Sequence, residues 1–228
     1  MTNTLQKMGG VAALVDAAAY VVGFALFLTV LDSSGYVGPV QKVAFLADNQ
    51  SVIYLANLII YVVFGVFLVV LSIALYERLK TGAPAMAQTA TAFGLIWAGL
   101  VIASGMVANI GIQTVVDIYG KEPAQAASVW MAIGSVQEAL GGGNEIVGGL
   151  WVLLISWAAL RAGELVKALN YLGVVIGVVG ILTSIPALEV LTEVFGLSQI
   201  VWFAWLGIVM LRRAAANPSP EPIPQRAE

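Results

Sequence analysis

The chain contains no cysteine and no histidine. The first absence removes disulfides, thiolate metal sites, Fe–S clusters and cysteine nucleophiles. The second removes imidazole-ligated haem and zinc, Ser–His catalysis and the usual proton switch near neutral pH. Charge is scarce as well. Only 10% of the 228 residues are Asp, Glu, Lys or Arg, the formal net charge is −3, and the pI is near 4.9. Such a balance argues against nucleic acid as a partner, because it provides no basic footprint for phosphates. No cofactor is expected, and a carboxylate-only site is the one metal chemistry left open.

What the chain does have is apolar length. Sixty percent of its residues are hydrophobic and the mean hydropathy is +0.94. A soluble domain of this size could not wet its outer face with so few charges. In a bilayer the surroundings are themselves apolar, and about 20 apolar residues cross the core as a helix. Six such runs are expected, at 8–31, 52–76, 88–114, 143–160, 168–188 and 196–211. The fold class is therefore all-α: a polytopic membrane helix bundle in one domain over 1–213, followed by a tail over 214–228. That tail includes NPSPEPIPQRAE, which is proline-rich, polar and expected to be disordered. The first run follows Lys7, but it is too long for a signal-peptide core and lacks a clear cleavage site, so it reads as a retained helix.

Charge placement sets an expected orientation. Lys7, Arg78, Lys80, Arg161, Lys167, Arg212, Arg213 and Arg226 fall at one end of the runs, and only Lys42 and Lys121 at the other. The positive-inside rule then puts both termini in the cytoplasm of a cell whose inner (plasma) membrane holds the protein. Asp32, Asp48, Asp117, Glu122, Glu189 and Glu193 gather on the outer side.

Two connections carry their own structure. Residues 32–51 form an outer loop with a short interfacial helix around Val40 to Asp48. Residues 123–140 begin with Pro123, a favourable first helical position, and read as an extracytoplasmic amphipathic helix on or in the membrane surface. The alternative is a helix running straight into the fourth span with a kink at GGGN, residues 141–144.

Ionisable side chains inside a bilayer are costly and need partners. Asp16, about two turns into the first span, and Glu145, just inside the outer end of the fourth, are the two carboxylates in question. No Lys or Arg lies deep in a span to neutralise either, so each must be protonated, hydrated in a cavity or bound to a cation. Gln137, Gly141, Glu145 and Gly148/Gly149 share one face of a continuous helix, and Gly105, Asn109, Gln113 and Asp117 form a stripe on the third span. Asn57, Thr183, Ser184 and Gln199 also fall towards the outer side, near Pro186. The expected ligand or ion site is an outward-facing polar cavity lined by Asn57, Asn109, Gln113, Glu145, Ser184 and Gln199, with Asp16 as an inner counterpart and 123–140 as a lid. The opposing reading is that these side chains only join helix to helix.

Aromatics and glycines lean structural. Trp97, Trp151, Trp157, Trp202 and Trp205, with Tyr20, Tyr54, Tyr61 and Tyr76, mix interfacial anchoring with packing, and stacking around a flat ligand is the alternative. Gly94, Gly99, Gly105 and the series Gly173, Gly177 and Gly180 read as packing grooves.

The stretch EIVGGLWVLLISWAALRAGELVKALNYLGVVIGVVG, residues 145–180, resembles the bacterial domain-of-unknown-function 4386 family of integral membrane proteins. Gly149 and Trp151, Ala162 and Gly163, and Leu172 and Gly173 occupy the places of the family's Gly-x-Trp helix, small-Gly turn and Leu-Gly pair. The family usually has proline in that turn, where this chain has Glu164 to Lys167. The resemblance implies a membrane bundle and no established activity, so no functional residue is carried over.

These observations favour binding or transport of a small or amphiphilic ligand or ion. The competing class is a non-catalytic membrane subunit or sensor accessory acting through helix contacts with a homo-oligomer or another membrane partner. An enzyme is not expected. A retinal protein needs a lysine inside a span, a rhomboid-type protease needs histidine, and the Gly-x-Gly-Asp of intramembrane aspartyl proteases is absent. A carboxylate-dependent lipid enzyme is the remaining catalytic option.

Overall fold

A computed structural model describes residues 3–142, 145–188 and 190–216, and every element among them is helical. In chain order these are α1 (Asn3–Leu28), α2 (Pro39–Asp48), α3 (Gln50–Asn57), a π-helical segment (Leu58–Val63), α4 (Phe64–Leu79) and α5 (Pro84–Tyr119). Then come α6 (Pro123–Gln137), a second π-helical segment (Glu138–Gly142), α7 (Ile146–Ala162), α8 (Lys167–Leu182), a 3-10 turn (Pro186–Leu188) and α9 (Leu191–Ala216). Pro39, Pro84 and Pro123 each stand at a helix start, where the missing N–H costs nothing. Gln41 reinforces the start of α2, its amide oxygen accepting the N–H groups of Val37 and Gly38 at 3.0 and 3.2 Å.

Five helical stretches are long and apolar enough to cross a membrane: Asn3–Leu28, Gln50–Leu79, Pro84–Tyr119, Pro123–Ala162 and Leu191–Ala215. The remaining expected span is α8, whose 16 residues reach about 24 Å, short of a hydrocarbon core of about 30 Å. The protein is thus a helical membrane protein by the length and apolarity of its helices. Most of the expected tail, together with Gly143, Asn144 and Glu189, lies outside the described residues, whereas Ala214 to Ala216 continue α9.

The short loop helix expected near Val40 is α2. The segment 123–140 is not a separate element lying across the bundle. α6 runs antiparallel to the far half of α5, with Ile133 and Trp130 against Gly111 and the Ser104 hydroxyl donating to the Gln137 carbonyl at 3.0 Å. Its path then bends at Gly141, where φ is 141°, a conformation open to glycine and strained for other residues. The kink expected at 141–144 is described only as far as Gly142, since Gly143 and Asn144 lie outside the described residues.

Helix ends sort by charge. Arg78, Arg161, Arg212 and Arg213 mark one end, called here the basic end. There Glu164 receives Arg78 through Nε and Nη2 at 3.0 and 2.8 Å and Arg213 at 3.2 Å, tying α4 and α9 to the turn between α7 and α8. The turn itself is made by Gly163 in the left-handed region, with the Glu164 N–H closing on the Ala159 carbonyl at 2.9 Å. The other end carries Asp32, Asp48, Asp117, Glu122 and Glu193, and is called the acidic end.

Two cores follow this axis. The bundle core, towards the basic end, holds Leu68, Leu71, Leu75, Trp97, Trp151, Ile155, Trp202 and Phe203. The cap core, at the acidic end, holds Leu31 from the turn after α1, Val43, Phe45, Leu46, Ile53, Ile112 and Val115 from α2, α3 and α5, with Ala126 and Ala127 of α6. In the bundle, α7 and α8 meet backbone to backbone: a Cβ on Gly149 would stand 2.7 Å from the Gly177 oxygen and the Ile181 nitrogen. Contact that close is van der Waals packing of the kind that holds membrane helices together.

Candidate functional site

The seam between the two cores contains two chambers. The inner one, about 250 Å³, is lined from α1 by Ala19, Tyr20, Gly23, Phe24 and Phe27, and from the first π segment by Ile60 and Tyr61. Phe64, Trp97, Val101, Gly141 and Glu145 complete it. The outer one, also about 250 Å³, lies under the cap and is lined by Ser33, Lys42, Asn57, Trp130 and Gln137 among apolar neighbours. Both include Phe27 and Tyr61, so the chambers meet there.

Local sequence explains why space is left here. Both π segments flank the seam, and Gln137 Nε2 donates to the Tyr61 hydroxyl between them at 3.0 Å. A π turn inserts one extra residue per turn and pushes its neighbours out of register, a distortion frequent at functional sites. On the far side, α7 starts only at Ile146, so Glu145 caps a helix that begins part-way along the bundle. Thr183 holds this start: its hydroxyl donates to the Gly180 carbonyl at 2.7 Å and accepts the Glu145 N–H at 3.1 Å.

The Glu145 carboxylate lines the inner chamber and has no hydrogen-bond or ion-pair partner among the described residues. Below it lies a layer of rings. Phe64 contacts Trp97 with centroids 5.3 Å apart, Trp97 contacts Trp151 at 5.6 Å, and Tyr20 contacts Phe64 at 5.4 Å and Phe203 at 6.2 Å. Asp16 sits one turn before Tyr20 on the same face of α1, on the bundle side of this layer, fully buried with neither carboxyl oxygen partnered.

The expected lining separates into three groups. Glu145 and Asn57 line chambers. Asn109 is beside them but occupied: it accepts from Asn57 Nδ2 at 2.9 Å, joining α3 to α5. Gln199 is fully buried in α9 with neither amide atom partnered, and lines neither chamber. Gln113 and Ser184 depart from the expectation. Gln113 is exposed, on the side of α5 away from α3 and α6. Ser184 is exposed beyond the end of α8, its hydroxyl donating to the Ile181 carbonyl at 2.8 Å. Both were placed by height along a helix, and height does not fix which way a side chain faces.

Sequence reasoning gave Tyr20, Tyr61 and Trp97 a ligand-stacking role only as an alternative and did not weigh Phe24, Phe27 or Phe64. Together these six supply half of the inner lining. The available signal was the concentration of aromatics at mid-span, away from the helix ends where interfacial anchoring would place them.

No curated protein matches the chain, and no solved structure does. Over residues 8–213 the chain matches the family described as Domain of unknown function (DUF4386), and it belongs to that family.

Proposed function

We propose that the protein binds a small or amphiphilic ligand or an ion in these two chambers, and moves it across the membrane where gating allows. Glu145 is the central site and Asp16 its counterpart beyond the aromatic layer. The observation that carries this reading is a carboxylate without a partner among the described residues, lining the inner of two adjoining chambers in a membrane helix bundle, where hydrogen-bonding needs alone would be met by a neutral amide. In this reading the acidic end faces outwards, both termini are cytoplasmic, six segments cross the inner membrane, and no reaction is catalysed.

The competing reading, a subunit that docks another helix on its glycine faces, has less support. Gly94 is covered by Ser72 and Trp151, Gly105 by Tyr61, Gly173 by Ser156 and Trp202, and Gly177 by Leu153, all from the same chain, and of the glycines read as grooves only Gly99 stands open.

The absence of native cysteine makes the test direct. In Tyr61→Cys, the thiol should react with a membrane-impermeant maleimide added to intact cells, while Ser72→Cys, fully buried in the bundle, should stay unlabelled. In parallel, Glu145→Gln should abolish ligand-induced thermal stabilisation while leaving helicity and elution profile unchanged. A silent Tyr61→Cys, or a Glu145→Gln protein altered only in assembly, would favour the docking reading. A tail thiol labelled only from outside would reverse the orientation.

A further inference from the structure

We infer that the inner chamber selects a hydrophobic organic cation, an ammonium-type ligand held by the Glu145 carboxylate and by the faces and edges of the surrounding rings. This rests on the reading of the chambers as a ligand site and specifies what that site takes.

Charge gives the first argument. Glu145 is the only ionisable carboxyl or basic group in the inner lining, and neither Lys nor Arg accompanies it. A fixed negative charge in apolar surroundings is stabilised by a positive partner, and here the protein supplies none among the described residues. A cationic ligand would supply that partner.

The rings give the second. Tyr20, Phe24, Tyr61, Phe64 and Trp97 line the same space. A cation within about 6 Å of an aromatic centroid is attracted by the ring quadrupole, most strongly by Trp and when desolvated. Quaternary and tertiary ammonium groups suit such a site, because their carbon shell tolerates the loss of water that a small inorganic ion resists.

Other occupants fit less well. A multivalent metal ion takes several oxygen ligands, and no group of three Asp or Glu residues close enough to hold one occurs among the described residues. Besides Glu145 the inner chamber offers only the hydroxyls of Tyr20 and Tyr61, and the latter already accepts from Gln137. An anion would meet Glu145 with no basic group to offset it. The volume, about 250 Å³, lies just below the usual range for ligand pockets, roughly 300–1,000 Å³, so the cation is small.

Access agrees in sign. Asp32, Asp48, Asp117, Glu122 and Glu193 fall at the end where the outer chamber lies, against Lys42 and Lys121, and a one-signed field concentrates counter-ions. Lys42 is the exception, since it lines the outer chamber itself. Its ammonium opposes the passage of a cation, so Lys42→Gln should speed association.

The test uses the full chain in lipid nanodiscs with three probes of matched shape: benzyltrimethylammonium, its uncharged carbon isostere neopentylbenzene, and phenylacetate. Binding is read by titration calorimetry and tryptophan fluorescence, with protein-free nanodiscs subtracted. The cation should bind saturably and at least tenfold more tightly than the isostere. Glu145→Gln should weaken it at least tenfold, Glu145→Asp less, and Tyr61→Leu a few-fold. Equal binding of cation and isostere, or cation binding unchanged in Glu145→Gln, would overturn the cation preference and leave the ligand site standing. Absence of saturable cation binding also overturns it. In that case the Tyr61→Cys labelling decides separately whether the cavity reading falls too.

Discussion

The bundle core and the cap handle polar atoms in opposite ways. Around the chambers most polar groups are matched, the Glu145 carboxylate excepted: Asn57 with Asn109, Gln137 with Tyr61, Ser104 with the Gln137 carbonyl, Thr183 with the Glu145 N–H. In the bundle Gln6 and Asn170 donate to backbone carbonyls at 3.1 and 3.0 Å, but most buried polar groups are orphaned. Asp16, Ser72, Ser156 and Gln199, with the indole nitrogens of Trp151 and Trp202, are buried without a partner. Packing runs the other way, since among the largest fully buried side chains only Ile112 belongs to the cap. Density and polar matching have been optimised in different places. A bundle tight enough to exclude partners holds its polar atoms at a cost of about 1–3 kcal/mol each. A looser cap can satisfy its own and still leave room for a ligand.

Several substitutions would sharpen or break this contrast, with stability measured by SDS unfolding in detergent–lipid micelles. The largest effect belongs to Trp151→Ala, which removes a fully buried ring from the bundle and should cost about 3–5 kcal/mol. Trp130→Ala in the partly exposed cap should cost well under half as much, and equal losses would erase the distinction between the two cores. Gly149→Leu comes next, because a Cβ there meets the backbone of α8 rather than a side chain that can turn away. Overpacking of that kind costs about 1–3 kcal/mol and should separate α7 from α8, visible as a broadened elution profile.

Smaller effects test the polar arrangement. Glu164→Ala leaves Arg78, whose side chain is 10% exposed, without its carboxylate, and should destabilise by about 1–2 kcal/mol. Asn109→Ala removes the amide link between α3 and α5, and interhelical bonds of this kind average about 0.6 kcal/mol. Lys80→Ala, at an exposed pair with Glu77, should leave stability unchanged within error. A loss at Lys80 as large as that at Glu164 would show that burial does not govern ion pairs at the basic end.

Much of the scaffold was legible in the residues. The apolar runs located the helices, Pro123 marked where α6 starts, and the small-Gly turn at Gly163 marked where α7 ends. The family resemblance read from residues 145–180 extends over 8–213. Glu145 stood out because a carboxylate inside an apolar run demands an explanation, and the structure puts it on a cavity. The π segment at Leu58–Val63 left no mark, since a one-residue insertion in an apolar helix changes no residue type, whereas Gly141 in the segment at Glu138–Gly142 was legible only as a candidate kink. Gln113 and Ser184 were misplaced for a related reason. Their height along the helix was readable, but their direction was not.

The composition by itself determined that this is a helical membrane chain with its basic residues at one end, because apolarity and charge act residue by residue whatever the neighbours. Which face of each helix turns inwards was decided by tertiary packing. In a soluble helix the polar side reports its own direction, whereas here lipid and bundle interior are both apolar, and the same Leu or Val satisfies either. Only the meeting of α1, α5, α7 and the two π segments could decide that Tyr61, Trp97 and Glu145 share one space.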